Sequence, residues 1–198
     1  MKKMKKINAL LLGLFAATVL VFTACEKEKV EPEIATVLDV HDKMVEWVYF
    51  SFGENSINQV AVGNHQESQA WDLGVYYQSF RTNGGTSGNA QGGVYDLGQV
   101  NFENVTLASI ADAQFISDTE ITILASAAMP PSWVNVPGSV PLDTMFETPT
   151  GPNRTYAPNN HIYVIKTANG RHVKVHGVSF FNDHGQEGFI NLKWAWLD

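Results

Sequence analysis

The last third of the chain alternates strand-like segments with short turns, and this pattern leaves few folds open. Three segments are rich in the β-branched and aromatic side chains that favour strands: residues 161–167, 172–181 and 189–197. Asn169-Gly170 lies between the first two segments and predicts a type I′ turn. Residues 182–188 have the polar and glycine composition of a second turn. The sequence therefore predicts two consecutive antiparallel hairpins.

Earlier segments repeat this pattern. Further strands are predicted at residues 45–52, 71–81, 93–97 and 120–126. Residues 82–93 contain five glycines and predict a long loop. No stretch after Cys25 combines a long helical period with capping residues. We therefore expect an all-β fold, mostly antiparallel, arranged as a β-sandwich or meander.

The segment from residue 129 to residue 158 differs from its surroundings because it holds seven of the eight prolines. Proline removes backbone donors, so this segment cannot form a central strand. Its apolar side chains Met129, Trp133, Met145 and Phe146 are unusual for a disordered loop. We predict a long loop with a binding function.

The N-terminus has the features of a targeting segment. Residues 1–24 begin with lysines and continue as a short apolar run, which predicts a secretory signal peptide rather than a membrane-spanning helix. Cys25 follows directly and resembles the acylated cysteine of a bacterial lipoprotein. Residues 25–35 are charged and predict a lipidated tether, and residues 36–198 predict a single β domain. The expected location is the outer membrane, lipid-anchored at the cell surface, from which the protein could be shed.

Charge excludes one large class of partners. The chain has 13 basic and 20 acidic residues, and removal of residues 1–24 takes away four lysines and no acid, leaving a net charge of −11. Such a chain lacks the positive charge that neutralises nucleic-acid phosphates. We therefore expect no nucleic-acid partner, and contact with a membrane only through the lipid anchor.

The sequence gives no support for an enzyme. It contains no Gly-x-Ser-x-Gly, no His-Glu-x-x-His and no phosphate-binding glycine loop. The single Cys25 also excludes an internal disulfide. His172 and His176 would lie roughly 13 Å apart along a strand, too far to chelate one metal ion, and His184 is predicted to be exposed in a turn.

Two methionines, Met129 and Met145, bracket the apolar part of the proline-rich segment. Thioethers commonly fill gaps in a protein core. They also ligate soft metal ions, and haem iron accepts methionine as an axial ligand. The residues alone leave both interpretations open.

The chain resembles the HmuY family of haem-binding surface lipoproteins (hemophores) of the Bacteroidetes. The similarity spans most of the chain after Cys25. It is carried by Trp47-Val48-Tyr49-Phe50-Ser51-Phe52, Trp71-Asp72-Leu73-Gly74, Arg81-Thr82-Asn83-Gly84-Gly85-Thr86-Ser87-Gly88, Gly92-Gly93 and the segments 163–174 and 188–196.

The resemblance implies an HmuY-like β domain whose long loops hold haem (iron protoporphyrin IX) for delivery to a TonB-dependent receptor of the outer membrane. Host haemoproteins are an expected source of the haem. Members of the family supply two axial ligands, histidines or methionines, and this chain has no histidine between His65 and His161. The resemblance therefore implies Met129 and Met145 as iron ligands. The side chains expected to cover the ring are Trp133, Phe146 and Tyr156.

Two other functions compete with this one. A surface binding or adhesion module could keep the same fold without haem and recognise a glycan or a protein through aromatic loops, above all through Trp133. A hydrolase that uses a carboxylate or His172 is the third hypothesis.

Overall fold

The computed structural model describes residues 34–41, 46–126, 128–147 and 156–197. The chain divides into two units, Met1–Val30 and Glu31–Asp198, and every described residue belongs to the second. Cys25 and the predicted signal peptide lie outside the described residues. The strands are β1 (Ile34–Asp39), β2 (Val48–Phe52), β3 (Ile57–Val60), β4 (Leu73–Tyr76), β5 (Ser79–Thr82), β6 (Gly93–Asp96), β7 (Thr119–Ser126), β8 (Ser132–Gly138), β9 (Ile162–Lys166), β10 (His172–Phe181) and β11 (Glu187–Trp196).

The expectation of an all-β, antiparallel fold is confirmed. One sheet has the strand order β1-β11-β10-β9-β6, and a second has the order β3-β2-β4-β5. Helical structure among the described residues is limited to three short 3-10 turns: Phe102–Asn104, Leu107–Ile110 and Leu142–Thr144. None of the helical turns among these residues is long or apolar enough to cross a membrane.

The core lies between the two sheets because strand alternation puts apolar side chains on one face of each. Leu192 and Trp194 on β11 point inward, while their neighbours on the strand are only partly buried. They share one hydrophobic cluster with Leu73, Val75 and Phe80 of the opposite sheet.

The predicted C-terminal hairpins are present as β9–β10 and β10–β11, but the type I′ turn is wrong. A type I′ turn needs positive φ at both central residues, and Asn169 does not have it. Its Oδ1 instead accepts hydrogen bonds from Thr167 Oγ1 at 2.7 Å and from Arg171 N at 3.2 Å. Gly170 alone adopts the left-handed conformation, with φ of +86°. Thr167 N donates to the Arg171 carbonyl at 2.9 Å, so residues 168–170 form a three-residue loop.

The strand predicted at residues 71–81 is in fact a hairpin. β4 and β5 pair with Tyr76 opposite Ser79, so that Tyr77 and Gln78 form the turn. Tyr77 has φ of +53°, a left-handed conformation usually filled by glycine or asparagine. The turn contains neither residue, which is why the sequence did not signal it.

The described residues of the segment 129–158 (129–147 and 156–158) contribute no strand to the two main sheets, as predicted, but they are not a continuous loop. Residues Ser132–Gly138 form β8, which pairs only with β7 as a two-stranded sheet. Pro137 fits there because a two-stranded sheet leaves one side of each strand without a ladder partner.

Candidate functional site

The β7–β8 hairpin is the one two-stranded sheet that the structure describes, and it lies against the second main sheet. Its inner face carries Ile121, Ile123 and Val136, which pack with Tyr76 and Tyr77. The Tyr76 hydroxyl also donates a hydrogen bond to the Leu124 carbonyl at 3.2 Å. These contacts hold the part of the hairpin nearest its base against the sandwich.

The base of the hairpin is fixed by a buried carboxylate. Asp118 directly precedes β7, is 2% exposed, and accepts hydrogen bonds from Thr82 N and Thr82 Oγ1, both at 2.7 Å. Burial raises the pKa of Asp118 to about 6, although Thr82 and Arg81 act in the opposite direction. On the other strand, Ser139 N donates to the Phe80 carbonyl at 2.8 Å. Both ends of the hairpin are therefore tied to β5.

The far end of the hairpin is exposed and has no charge. Met129 lies in the connection between β7 and β8 and is 90% exposed. The chain contains no charged residue between Glu120 and Asp143, so the hairpin carries no charge beyond Glu120, the second residue of β7. This end offers a thioether and apolar surface to a ligand.

Trp133 lies on the outward face of the hairpin. It pairs with Leu124, whereas Val134 pairs with Ile123 on the face that meets the sandwich. Trp133 is 62% exposed, and the exposed side chains of Thr122 and Asn135 share its face.

Met145 lies in the core, unlike Met129. It follows the 3-10 turn Leu142–Thr144 and is 1% exposed. A Cβ placed on Gly177 of β10 would lie 3.0 Å from Met145 Sδ and 3.1 Å from Phe146 Cζ. The absence of a side chain at Gly177 therefore makes room for the thioether of this almost fully buried residue.

Backbone pairing joins residues 145–147 to residues 157–159. Glu147 N donates to the Ala157 carbonyl at 2.8 Å, and Asn159 N donates to the Met145 carbonyl at 3.0 Å. Phe146 and Pro158 form an isolated antiparallel bridge between these bonds. We call residues 145–147 together with residues 157–159 the clasp.

An aromatic cluster fills the space beneath the clasp. Tyr156 lies 4.5 Å from Phe180 between ring centroids, and Tyr77 contacts both rings edge-on, at 5.8 Å and 4.9 Å. The Tyr77 hydroxyl donates to Glu187 Oε2, and burial raises the pKa of Tyr77 well above its ordinary value. Phe146 also contacts Phe180, at 5.6 Å.

The five residues predicted to bind haem thus fall into two groups. Met129 and Trp133 are exposed on the hairpin, whereas Met145, Phe146 and Tyr156 are buried in the main core. Tyr77 packs against both the hairpin cluster and the main core, so it links the regions that carry the two groups.

One pair of residues near the clasp was missed by the sequence analysis. His161 Nδ1 lies 3.0 Å from both carboxylate oxygens of Asp96, and each side chain is about one third exposed. This contact arises because β6 pairs with β9, and no local motif joins positions 65 residues apart. A carboxylate in this position orients an imidazole so that Nε2 can serve as a ligand.

The other histidines form no metal centre. His172 and His176 are partly buried on β10, and His184 is exposed in the turn before β11. Within residues 34–197, as far as they are described, no three His, Cys, Asp or Glu side chains are arranged to hold a metal ion.

The Trp71-Asp72 motif stabilises the sandwich. Asp72 is buried and accepts hydrogen bonds from Ser51 Oγ, Phe52 N and Ala168 N at 2.9–3.0 Å. The Trp71 indole donates to the His65 carbonyl at 2.9 Å. These two residues, which carry part of the family resemblance, therefore stabilise the fold.

Arg81 and Asn83, which also carry part of the family resemblance, are buried as well. The Arg81 guanidinium lies 3.5 Å from the centre of the Trp47 ring and donates to the Tyr49 hydroxyl at 3.2 Å. Asn83 Nδ2 donates to the carbonyl of Trp71 at 2.9 Å. These contacts fix the start of the glycine-rich loop to the core.

Several solved structures have the same fold. An HmuY analogue from Tannerella forsythia, solved in its apo form, is 17% identical with a TM-score of 0.61, and the match covers 83% of this chain and 95% of that one. A Bacteroides vulgatus protein classed as HmuY-like and haem-binding is also 17% identical, with a TM-score of 0.59 and coverage of 83% and 91%. A Bacteroides fragilis protein classed as a lipoprotein is 16% identical, with a TM-score of 0.60 and coverage of 83% and 89%.

No similar chain is found among curated protein sequences. The sequence profile of the HmuY protein family matches residues 43–194, which include β2 to β10 and most of β11. The chain therefore belongs to the HmuY family.

Proposed function

We propose that this protein binds haem at the free end of the β7–β8 hairpin and acts as a hemophore. The observation that carries the proposal is the neutral, exposed hairpin end with Met129 at its tip. A porphyrin is a large apolar ring that suits such a surface, and its iron accepts a thioether as an axial ligand. Membership of the HmuY family and the fold shared with the Bacteroides vulgatus protein classed as HmuY-like and haem-binding support the same ligand.

Met129 and Met145 are the proposed axial ligands. The placement of Met129 fits this role, because its thioether is almost fully exposed. Met145 fits only after a rearrangement: its sulfur is buried against Gly177, so the clasp has to open before that sulfur can reach an iron atom. Opening would also release Phe146 and Tyr156 from the core to cover the ring, while Trp133 would contribute from the hairpin.

The proposed place of action is the bacterial surface. Residues 1–24 are proposed to be removed as a signal peptide, and Cys25 to carry the lipid that anchors the tether 25–35 in the outer membrane. Haem would be taken from host haemoproteins and passed to a TonB-dependent receptor. In this proposal the protein carries its ligand and catalyses no reaction.

Titration of the purified protein with haemin tests the proposal, with the Soret band as the readout. We expect a shifted band in the wild type and a loss of the shift in Met129→Leu, which keeps the volume but removes the sulfur. Met44→Leu is the matched control and should bind like the wild type. Absence of a shift in the wild type would reject haem as the ligand.

Met145→Leu tests the second ligand. Loss of the shift in this variant supports the opening of the clasp. If the shift survives in Met145→Leu but is lost in His161→Ala, then the second ligand is the imidazole that Asp96 orients.

An adhesion module that does not bind haem is the second candidate, and the outward face of the hairpin favours it. Exposed Trp133 lies on the same face as a polar row in which Thr122 Oγ1 donates to Asn135 Oδ1 and Asn135 Nδ2 donates to Glu120 Oε1, both at 2.9 Å. Aromatic faces beside polar groups suit the stacking of sugar rings. Binding to a glycan array that is lost in Trp133→Ala, together with no response to haemin, would support this function.

A further inference from the structure

The two methionines of the described residues differ almost completely in exposure. Met129 is 90% exposed and Met145 is 1% exposed. Oxidation of methionine to its sulfoxide requires that the oxidant reach the sulfur atom, so susceptibility follows exposure. A hydroperoxide can therefore attack Met129 in the folded protein, whereas Met145 is protected until the core opens.

The surroundings of Met129 make its oxidation compatible with the fold. Pro130 and Pro131 follow it, and the hairpin end lies outside both main sheets. A sulfoxide oxygen at this position would remain in water and would leave no buried polar group without a partner. A sulfoxide oxygen at Met145 would instead be buried, because Met145 Sδ packs in the space above Gly177.

We propose that Met129 is a site of peroxide modification whose oxidation switches haem binding off, an inference that rests on the proposed haem function. In this step the O–O bond of a hydroperoxide breaks and one oxygen forms an S–O bond with Met129 Sδ. The sulfur is oxidised by two electrons, and the peroxide is reduced to water or an alcohol. The new oxygen takes up one of the two sulfur lone pairs, weakens the other as a soft donor and makes the tip polar, so both contributions to haem binding are lost.

The consequence is a carrier that releases haem when peroxide is present. The modification leaves the sandwich intact, because the hairpin is held by Asp118, Tyr76 and the inner-face side chains rather than by its tip. A thiol-dependent sulfoxide reductase would restore the thioether.

The first test is selectivity. The purified protein is treated with hydrogen peroxide, the peroxide is removed, and peptides are mapped by mass spectrometry. We expect the Met129 peptide to gain one oxygen well before the Met145 peptide does. Oxidation of both peptides at the same rate would overturn the inference.

The second test is function. Haemin titrations before and after oxidation should show the Soret shift lost after treatment and regained after incubation with methionine sulfoxide reductase. The same loss is expected in Met44→Leu. Met44 is the one methionine of residues 25–198 outside the proposed site, so this variant shows that its oxidation does not cause the loss. A shift that survives complete oxidation of Met129 overturns the switch alone. A protein that shows no shift before oxidation overturns the haem function, and the switch with it.

Discussion

The Asp72 carboxylate accepts a hydrogen bond from the backbone N–H of Ala168 at 2.9 Å, which connects the residue before β4 in one sheet to the turn after β9 in the other. The second carboxylate oxygen accepts from Ser51 Oγ and Phe52 N of β2. A single side chain therefore joins the two sheets at one end of the core.

Asp72→Ala should destabilise the protein by roughly 3 kcal/mol, because it leaves buried backbone donors without an acceptor. The measurement is the free energy of unfolding from urea denaturation followed by tryptophan fluorescence. Glu54→Gln is the control, since Glu54 is largely exposed in its pair with Arg171 and its loss should change stability by less than about 1 kcal/mol. Equal effects in the two variants would contradict the structural role of Asp72.

Asp118 should make stability depend on pH. Burial raises its pKa from an ordinary value of 3.8 to about 6 in the folded protein, so the folded state binds the proton more tightly than the unfolded state does. The resulting stabilisation is complete below pH 3.8 and is lost as the pH rises through about 6. Its size is roughly 3 kcal/mol, as expected for a shift of about two pKa units.

Asp118→Asn tests this dependence, because the amide cannot titrate. The difference between the wild-type and variant free energies of unfolding, measured from pH 4 to pH 8, should change mainly around pH 4 to 6. A flat difference would show that Asp118 does not titrate in this range.

Gly177→Ala should destabilise the core by roughly 1–3 kcal/mol, because a methyl group there would lie 2.8 Å from Met145 Cγ. In Gly177→Ala/Met145→Ala the smaller side chain makes room for the new methyl group. The double variant should therefore be less destabilised than the sum of the two single variants. Additive effects in a double-mutant cycle would contradict the packing of Met145 above Gly177.

Trp133 and Tyr156 should affect stability very differently, although both are aromatic residues of the candidate site. Tyr156→Ala removes a ring 4.5 Å from Phe180 in the buried cluster and should cost roughly 3–5 kcal/mol. Trp133→Ala removes an exposed ring and should cost less than about 1 kcal/mol. Thermal unfolding followed by circular dichroism distinguishes the two, and similar losses would mean that the hairpin end contributes to the core.

The parts of the fold that could be predicted are those in which local pattern and tertiary burial agree. β11 was predictable because its side chains alternate between the core and the opposite face. The β4–β5 turn was not, since Tyr77 is held in a left-handed conformation amid contacts to Glu187 and Phe180 that the local sequence does not reveal.

In the candidate site, too, features set by the local sequence could be predicted, and features set by distant contacts could not. Proline content correctly separated the described residues of the segment 129–158 from the main sheets. The sequence could not distinguish Met129 from Met145, because the burial of Met145 depends on the missing side chain of Gly177 on a distant strand. The contact between His161 and Asp96 likewise depends on the pairing of β6 with β9.

The attachment of the hairpin by its base has a consequence for how this protein can evolve. Substitutions between residues 128 and 133 change exposed side chains whose loss hardly affects the stability of the sandwich. Selection on that short stretch can therefore act on ligand preference alone. A new binding chemistry would need only a change of side chain at the tip, with Asp118 and the inner face of the hairpin left as they are.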